Sequence, residues 1–248
     1  MIVTDLDGTL LREDKTISER SLSALKQCRS SGIRVVYATG RGDSSKILAP
    51  SELFDGFVRM NGATAYIGDE RVYSKLIPIE TVRSLLIAAD NAGFLVAAEC
   101  NGWHYANFNV AEKWPWIPQF EFADFSTLDI YAEKLFAVAE TPEVPELIKK
   151  HLSDGLYLSV SRDGLAMVMH EDAVKSKAVA ALAECWDIKQ CDITGFGDDI
   201  NDIDLLEYCG TGVAMGNALD EVMAAADHVC DTNDRDGVAK WLEEQVLI

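Results

Sequence analysis

Two aspartates stand at the end of the first apolar run of the chain. Residues 2–11 read IVTDLDGTLL, so one residue separates Asp5 from Asp7, and Gly8 and Thr9 follow at once. Carboxylates held close together repel each other unless a cation joins them. A carboxylate can also attack an electrophile and form a covalent intermediate, while a second carboxylate moves a proton. The segment is therefore a candidate for catalysis, although a DxDG string is also common in ordinary turns.

Three other polar features follow apolar segments later in the chain. Thr39-Gly40 ends the run IRVVYA, Lys177 lies in the first turn of an amphipathic segment, and Asp198 stands in GDDIND, residues 197–202. A strand-to-helix turn offers backbone N–H groups to phosphate oxygens. A lysine near a helix start opposes the helix dipole, so an anionic neighbour would explain it. Lys175 is the alternative to Lys177 for this role.

Taken together, the four features predict phosphoryl transfer through a covalent intermediate. We expect Asp5 to attack phosphorus, and Asp7 to protonate the leaving oxygen and then to deprotonate a water molecule. Asp5, Asp7 and Asp198 provide the oxygen ligands that suit Mg²⁺. This cation and Lys177 would neutralise the negative charge around the phosphate. Each feature alone has an ordinary structural explanation, so the prediction depends on all four occurring in order at strand–helix junctions.

The pattern of apolar segments predicts the fold that would bring these residues together. Continuous apolar strands alternate with helices in residues 1–78 and again in residues 173–248, as in a parallel sheet covered on both faces. Ligands bind at the carboxyl ends of the strands in such sheets. Residues 79–172 contain hairpins and two helices instead. The sequence thus predicts an α/β, doubly wound, Rossmann-like core, 1–78 and 173–248, with an α+β domain inserted at 79–172.

The composition limits the classes of partner. The chain has 22 basic and 41 acidic residues and a net charge of −19, which argues against nucleic acid and acidic membrane surfaces as partners. No apolar run approaches the roughly 18 residues that a membrane span requires, and a cleaved signal peptide is not expected. The six cysteines are scattered without CxxC pairs or metal-type spacing, and we interpret most of them as buried apolar residues in a reducing compartment, which favours a cytoplasmic protein. We expect a small-molecule substrate and a monomer or dimer.

The same residues resemble the motifs of the haloacid dehalogenase (HAD) superfamily, and more closely those of its Cof-like sugar-phosphate phosphatases. The resemblance is carried by DLDGT, Thr39 in ATGR, Lys177, GDDIND, MNGA at residues 60–63 and the segment GVAMGNALDEVMAAADHV. It covers both parts of the predicted core. It is weaker across residues 79–172, where that family carries a mobile α+β cap.

The resemblance implies a nucleophile, a proton-transfer group and a metal site. Asp5 would be the nucleophile and Asp7 the general acid and base. Mg²⁺ would be held by the Asp5 carboxylate, the backbone carbonyl oxygen of Asp7 and the carboxylate of Asp198. Asp202 would support the ion through a bound water molecule.

The resemblance also implies a phosphate site. Thr39, Gly40 and Lys177 would bind the phosphoryl group, and Asn201 would lie close to it. The residue after Lys177 is alanine, where the family often has glycine. The choice between Lys177 and Lys175 therefore stays open, with Lys177 preferred.

Substrate selection would fall to the inserted cap, because its aromatic and amide side chains suit the faces and hydroxyl groups of sugars. Trp103, Tyr105 and Trp114 are the preferred candidates. The wider set with suitable chemistry is Trp103, His104, Tyr105, Asn107, Lys113, Trp114 and Trp116. The alternative explanation is packing, since alternate residues of a hairpin face the core of their own domain.

The predicted function is hydrolysis of small phosphorylated metabolites, with sugar phosphates the leading class, by a Mg²⁺-dependent phosphatase that forms an aspartyl-phosphate. Two alternatives use similar residues. A phosphotransferase like the phosphomannomutases would pass the phosphoryl group to another hydroxyl. A phospho-acceptor signalling domain would keep it, but such domains are about half this length and lack the insertion.

Overall fold

The computed structural model describes residues 1–115, 117, 119–161 and 164–247. The chain divides into two compact units. The core unit comprises Met1–Arg41, Ser45–Ser74 and the chain from Val174 onward, and the insertion unit comprises Gly42–Ser44 and Lys75–Ala173. The sequence places the insertion at residues 79–172, so the two divisions differ at their ends and at residues 42–44.

The first part of the core unit begins with a buried strand and a capped helix. The side chain of Ser18 accepts a hydrogen bond from the backbone N–H of Ser21, so Ser18 caps the first helix as its residue type predicts. The elements are β1 (Ile2–Thr4), α1 (Glu19–Ser30), β2 (Val35–Ala38), α2 (Ser45–Leu48), β3 (Gly56–Arg59), β4 (Thr64–Ile67) and β5 (Glu70–Ser74).

The insertion unit is an α+β arrangement built on one sheet. Its elements are α3 (Ile79–Asn91), β6 (Val96–Cys100), β7 (Trp103–Ala106), α4 (Val110–Lys113), β8 (Phe120–Phe122), β9 (Lys134–Val138), α5 (Glu143–His151), β10 (Leu156–Val160) and β11 (Leu165–His170). Among the described residues, the strand order is β10-β11-β9-β6-β7-β8, antiparallel except for the β7–β8 pair. Asn101 and Gly102 both have positive φ at the β6–β7 turn, which is the hairpin that Asn-Gly predicts.

The second part of the core unit returns to alternating helices and strands. Its elements are α6 (Lys175–Cys185), β12 (Thr194–Gly197), α7 (Ile203–Tyr208), β13 (Thr211–Ala214), α8 (Asp220–Ala225), β14 (His228–Val229) and α9 (Gly237–Gln245). Short 3₁₀ turns occupy residues 51–53, 190–192, 200–202 and 233–235. Within the described ranges, none of the helices is long and apolar enough to cross a lipid bilayer.

The core sheet confirms the predicted doubly wound architecture. In the described part of the chain its order is β14-β13-β12-β1-β2-β3-β4-β5, parallel from β14 to β3 and antiparallel from β3 to β5. Successive residues of β1 point to opposite faces. Ile2 joins the apolar cluster that contains Leu25 of α1, whereas Val3 joins the cluster that contains Leu182 of α6. Burial on both faces explains why these strands read as continuous apolar runs.

Candidate active site

The carboxyl ends of β1, β2 and β12 meet at one edge of the core sheet. β1 pairs in parallel with both of the other strands. A polar residue directly follows each strand: Asp5 after β1, Thr39 after β2 and Asp198 after β12. Open parallel sheets bind their ligands at this edge. The sheet therefore brings together three of the residues that the sequence analysis singles out.

Asp5 is buried at the end of β1. Its Oδ1 atom accepts a hydrogen bond from Lys175 Nζ at 2.7 Å. Burial raises the pKa of Asp5 well above its usual value, Lys175 opposes this rise, and the negative charges of Asp202 and Asp198 add to it. The carboxylate form, which a nucleophile requires, therefore depends on nearby positive charge.

Lys175 supplies that positive charge from the first residue of α6. Its side chain is fully buried, and Nζ lies 2.7 Å from Asp5 Oδ1 and 2.6 Å from Asp202 Oδ1. Burial by itself lowers the pKa of Lys175, but the charges of Asp202 and Asp5 outweigh it and raise the pKa above its usual value. Lys175 thus remains charged and links β1 to the segment that precedes α7.

Lys177, the lysine that the sequence analysis prefers for phosphate binding, lies on another side of α6. Its side chain is exposed, whereas Lys175, Ala178 and Leu182 belong to the buried face. An α-helix turns by about 100° per residue, so residues two positions apart point in nearly opposite directions. The structure places the alternative, Lys175, and not Lys177 beside Asp5.

Asp198 is held against the loop that follows β1. Thr9 Oγ1 donates a hydrogen bond of 2.6 Å to Asp198 Oδ1. Gly8 has φ of 80°, and a Cβ atom on it would overlap the Asp198 carboxylate, so this position requires glycine for two reasons. Burial raises the pKa of Asp198 to about 6; the hydrogen bond from Thr9 opposes this rise, and the charge of Asp202 adds to it.

Asp202 organises the segment after β12. It is completely buried, and its Oδ2 atom accepts the backbone N–H groups of Asp198 at 3.0 Å and Asp199 at 3.2 Å. Its Oδ1 atom accepts the hydrogen bond from Lys175. A Cβ atom on Gly197 would overlap the Asp202 side chain, which explains the glycine at the end of β12. Asp202 therefore fixes both Lys175 and the backbone that carries Asp198.

The acidic side chains are suited to a hard divalent cation. Carboxylate oxygens of Asp5, Asp198 and Asp202 all lie within 4.8 Å of one another. Lys175 forms ion pairs with Asp5 and Asp202, so one lysine charge stands against three carboxylates and leaves negative charge that a cation can neutralise. Oxygen-only ligands suit hard cations, of which Mg²⁺ is one. The residues present thus fit the predicted ion.

Asp7 is paired with two basic side chains, Arg41 and Lys15. Arg41 Nη2 donates to Asp7 Oδ1 at 2.7 Å, Arg41 Nε donates to Oδ2, and Lys15 Nζ lies 2.8 Å from Oδ1. Burial on its own would raise the pKa of Asp7, but the hydrogen bonds and charges of Arg41 and Lys15 lower it below its usual value. Asp7 is therefore a carboxylate here. Arg41 directly follows Thr39-Gly40, whereas no sequence pattern indicates Lys15.

Three of the predicted phosphate-binding residues, Thr39, Gly40 and Asn201, lie close to one another in the core unit. Thr39 is buried, and its Oγ1 atom accepts the backbone N–H of Arg41 at 3.2 Å. Asn201 Nδ2 donates to Asn61 Oδ1 at 2.8 Å. A Cβ atom on Gly40 would lie 2.8 Å from the same Asn61 oxygen. Asn61 therefore lies next to both Gly40 and Asn201. In the sequence, only the MNGA segment at residues 60–63 drew attention to this residue.

The preferred candidates in the insertion unit differ in exposure. Trp103 begins β7 and is 42% exposed. Tyr105 packs against the cluster formed by α3, α5 and one face of the sheet. Trp114 packs edge-on against Phe136 and Phe108, with ring centroids 5.6 and 6.2 Å apart. Packing accounts for Tyr105 and Trp114, and Trp103 retains an exposed ring.

Most of the wider set makes structural contacts. Asn107 accepts a backbone N–H of β6 through Oδ1, and Lys113 Nζ lies 3.2 Å from Glu140 Oε1. His104 is buried, with Nε2 at 3.4 Å from Glu99 Oε2. Trp116 lies outside the described residues.

A buried ion cluster in the insertion unit is not indicated by any sequence motif. Glu99 of β6 lies opposite His104 of β7 and Lys134 of β9, and Lys134 Nζ is 3.1 Å from Glu99 Oε2. Burial alone would raise the pKa of Glu99, but Lys134 and His104 lower it to about 2. The three strands thus carry a row of polar, ionisable side chains that only their register brings together.

Comparisons of this chain with protein families, curated proteins and solved structures all indicate the same family. The sequence model of the haloacid dehalogenase-like hydrolase family matches residues 2–242 of this chain. A Bacillus subtilis protein named 5-amino-6-(5-phospho-D-ribitylamino)uracil phosphatase YitU is 29% identical over 265 residues, covering 98% of this chain and 96% of its own. Pyridoxal phosphate phosphatase YbhA of Escherichia coli is 27% identical, covering 100% and 98%.

Among solved structures, the chain is similar to BT4131, described as a sugar phosphatase of HAD subclass IIB. The TM-score is 0.86 and the identity 25%, with 100% of this chain and 99% of that chain covered. This similarity spans both units of the chain. The family match, the curated relatives and the fold agree: the chain belongs to the haloacid dehalogenase-like hydrolases and is an enzyme of the phosphoric monoester hydrolase class.

Proposed function

We propose that this chain is a Mg²⁺-dependent phosphatase of small phosphorylated metabolites, with sugar phosphates the leading class, and that it forms an aspartyl-phosphate on Asp5. The observation that carries the proposal is the buried arrangement of Asp5, Lys175 and Asp202 beside Asp198 at the carboxyl end of the core sheet. The relatives named as phosphatases, and the sugar phosphatase among the similar structures, support the substrate class.

The proposed reaction has two steps. In the first, an Asp5 carboxylate oxygen bonds to phosphorus as the bond to the leaving oxygen breaks, and Asp7 gives that oxygen a proton. In the second, Asp7 takes a proton from water as the water oxygen attacks phosphorus. The Asp5–phosphorus bond breaks, inorganic phosphate leaves, and Asp5 and protonated Asp7 are restored.

The surrounding residues would stabilise the anions that meet in these steps. Lys175 neutralises Asp5 in place of the predicted Lys177, while Thr39, Gly40 and Asn201 would bind the phosphoryl oxygens. The Asp5 carboxylate, the Asp7 carbonyl oxygen and Asp198 would hold Mg²⁺, with Asp202 supporting the site. The bound ion would supply positive charge to the phosphoryl group.

Asp7 must change its protonation state during this cycle. Its ion pairs with Arg41 and Lys15 favour the carboxylate, which is the form that accepts a proton from water. The first step requires the protonated acid. We therefore propose that substrate binding loosens these two contacts.

The insertion unit would carry substrate selectivity. Trp103 is its best candidate because the ring is exposed, whereas Tyr105 and Trp114 are more engaged in packing. We also propose a cytoplasmic protein that is a monomer or a dimer. The six cysteines are present as thiols, which supports the cytoplasmic location.

The decisive experiment is phosphate release from a panel of sugar phosphates, nucleotides and pyridoxal phosphate, with and without Mg²⁺. We expect turnover that requires Mg²⁺ and is abolished in Asp5→Asn, with the exposed Asp69→Asn as the matched control. Turnover of no substrate, or full activity in Asp5→Asn, would contradict the proposal. An isomerised sugar phosphate as product would indicate a mutase, and a long-lived phosphoprotein without turnover would indicate a signalling domain.

A further inference from the structure

The turn that follows β3 adopts an unusual backbone conformation. Met60 and Asn61 have φ of 51° and 52°, and Gly62 follows with φ of 105°. The left-handed region is unfavourable for residues that carry a Cβ atom, and two such residues in succession are rare. Strained backbone persists only where surrounding contacts hold it, and it is concentrated at functional sites. The mechanism proposed above gives this MNGA segment no role.

Backbone hydrogen bonds tie this turn to the segment that carries the phosphate-binding threonine. The N–H of Asn61 donates to the carbonyl oxygen of Thr39 at 3.0 Å, and that of Met60 donates to the carbonyl oxygen of Arg41 at 3.1 Å. On its other side, a Cβ atom on Gly62 would overlap the backbone of Val174. The turn is therefore packed between residues 39–41 and the residue that precedes Lys175.

The side chain of Asn61 reaches a third segment. Its Oδ1 atom accepts a hydrogen bond of 2.8 Å from Asn201 Nδ2. A primary amide has two N–H donors, so this bond orients Asn201 while a second donor stays on the same nitrogen. Asn61 thereby fixes the amide plane of the residue proposed to lie near the phosphoryl group.

The same oxygen also explains the glycine in ATGR. The three atoms nearest to a Cβ built on Gly40 all belong to the Asn61 side chain, at 2.8, 3.5 and 3.6 Å. Gly40 has no left-handed φ that would demand glycine. A side chain at this position would therefore have to displace the Asn61 amide, which Asn201 holds by a hydrogen bond.

We propose that Asn61 is a positioning residue for phosphate binding. Its backbone holds the Thr39–Arg41 segment, and its side chain orients Asn201, so donors from two distant parts of the chain converge on one phosphoryl group. The inference rests on the proposed function and deepens it, because it names what aligns the phosphate-binding groups.

Asn61→Gly is the informative variant, since glycine keeps the positive φ and removes the amide. Inorganic phosphate is the probe, measured by calorimetric titration and by inhibition of p-nitrophenyl phosphate hydrolysis. We expect the dissociation constant of phosphate and KM to rise about tenfold, the effect of one lost positioning hydrogen bond. We expect kcat to change less and the melting temperature to stay near that of the unmodified chain, because glycine also relieves the backbone strain.

Asp187→Gly is the matched control. Asp187 has φ of 54° in an exposed turn after α6, so the substitution relieves the same kind of strain away from the site. We expect it to leave phosphate affinity unchanged. A purely structural role for Asn61 would instead lower the melting temperature of Asn61→Gly and leave phosphate affinity intact, which would overturn the proposal.

Two double variants test the route of the effect. Asn201→Ala should cost little further affinity in the Asn61→Gly background, because the amide to be oriented is already mispositioned. Gly40→Ala should be tolerated better in that background, because its steric partner is gone. Independent, multiplying effects in both pairs would refute the proposal.

The role of Asn61 can be tested separately from the proposed function, because calorimetric titration of phosphate needs no turnover. A chain that binds phosphate but hydrolyses nothing would refute the phosphatase function, and the titrations would still decide the role of Asn61. Absence of phosphate binding in the unmodified chain would refute that role.

Discussion

Replacing Lys175 by methionine tests the centre of the proposed site, because methionine keeps most of the volume of lysine and removes its charge. Nζ lies 2.7 Å from Asp5 Oδ1 and 2.6 Å from Asp202 Oδ1 in a fully buried position. Removing one partner of a buried ion pair typically costs about 3–5 kcal/mol, since the remaining charge loses its compensation. We expect Lys175→Met to lower the free energy of unfolding by about that amount.

The matched control is Lys177→Met in the same helical turn. Lys177 is exposed, and substitutions at such positions usually change stability by no more than about 0.5 kcal/mol. The two variants should also differ in activity. Loss of one preorganised charge or donor at a developing anion typically lowers kcat by about 10²–10³. We expect that loss in Lys175→Met and near-normal turnover in Lys177→Met.

A double variant separates folding from catalysis. Asp202→Asn in the Lys175→Met background removes one of the two uncompensated carboxylates, so part of the lost stability should return. Activity should not return, because Asp5 still lacks the positive charge of the Lys175 side chain. The assays are urea unfolding followed by circular dichroism, and phosphate release at saturating substrate with Mg²⁺ present.

Two outcomes would refute this reasoning. Equal stability and activity in Lys175→Met and Lys177→Met would mean that the buried contact with Asp5 is unimportant. A loss of activity confined to Lys177→Met would restore the lysine that the sequence analysis prefers.

Three further perturbations test other parts of the structure. Gly8→Ala should lower the free energy of unfolding more than Gly32→Ala and should also lower activity. Both glycines have φ near 80°, but only at Gly8 would a Cβ atom overlap Asp198. Urea unfolding and phosphate release measure the two effects, and equal effects of the two substitutions would contradict the prediction. Mg²⁺ should raise the melting temperature in a concentration-dependent way, as a ligand of the folded state does, and Asp198→Asn should remove much of that shift in a thermal scan. Burial of Glu99 favours its neutral form, but the charge of Lys134 outweighs burial and helps to lower the pKa of Glu99 from 4.5 to about 2. The Glu99 carboxylate therefore stabilises the fold fully above about pH 4.5, and this stabilisation is lost as the pH falls through about 2. The difference corresponds to about 3 kcal/mol, and acid unfolding of Glu99→Gln should lack this dependence; an unchanged acid limb would contradict it.

The architecture was largely predictable because its signals are local. Continuous apolar runs marked the buried parallel strands, Ser18 marked the start of α1, and Asn101-Gly102 marked the β6–β7 turn. Asp5 and Asp198 could be placed at the same edge without coordinates, because each directly follows a strand of one parallel sheet. Hydrophobic periodicity and turn-forming residues act over a few neighbouring positions, so strands, helix starts and turns can be recognised from the sequence alone.

The choice among neighbouring side chains was decided only by tertiary structure. Lys175 and Lys177 share one helical turn, and the orientation of α6 against the sheet buries the first beside Asp5 and leaves the second exposed. Arg41 meets Asp7 across 34 residues. These contacts join segments that are distant along the chain.

The sequence by itself determined which residue types stand at the ends of the strands, and therefore the class of chemistry. Which lysine neutralises Asp5, what holds Asp7, and why Asn61 accepts a strained backbone beside Asn201 followed only from packing. The physical reason is that charge compensation, steric exclusion and hydrogen-bond geometry depend on distances in space. A separation of 140 residues between Asn61 and Asn201 says nothing about a contact of 2.8 Å until the chain has folded.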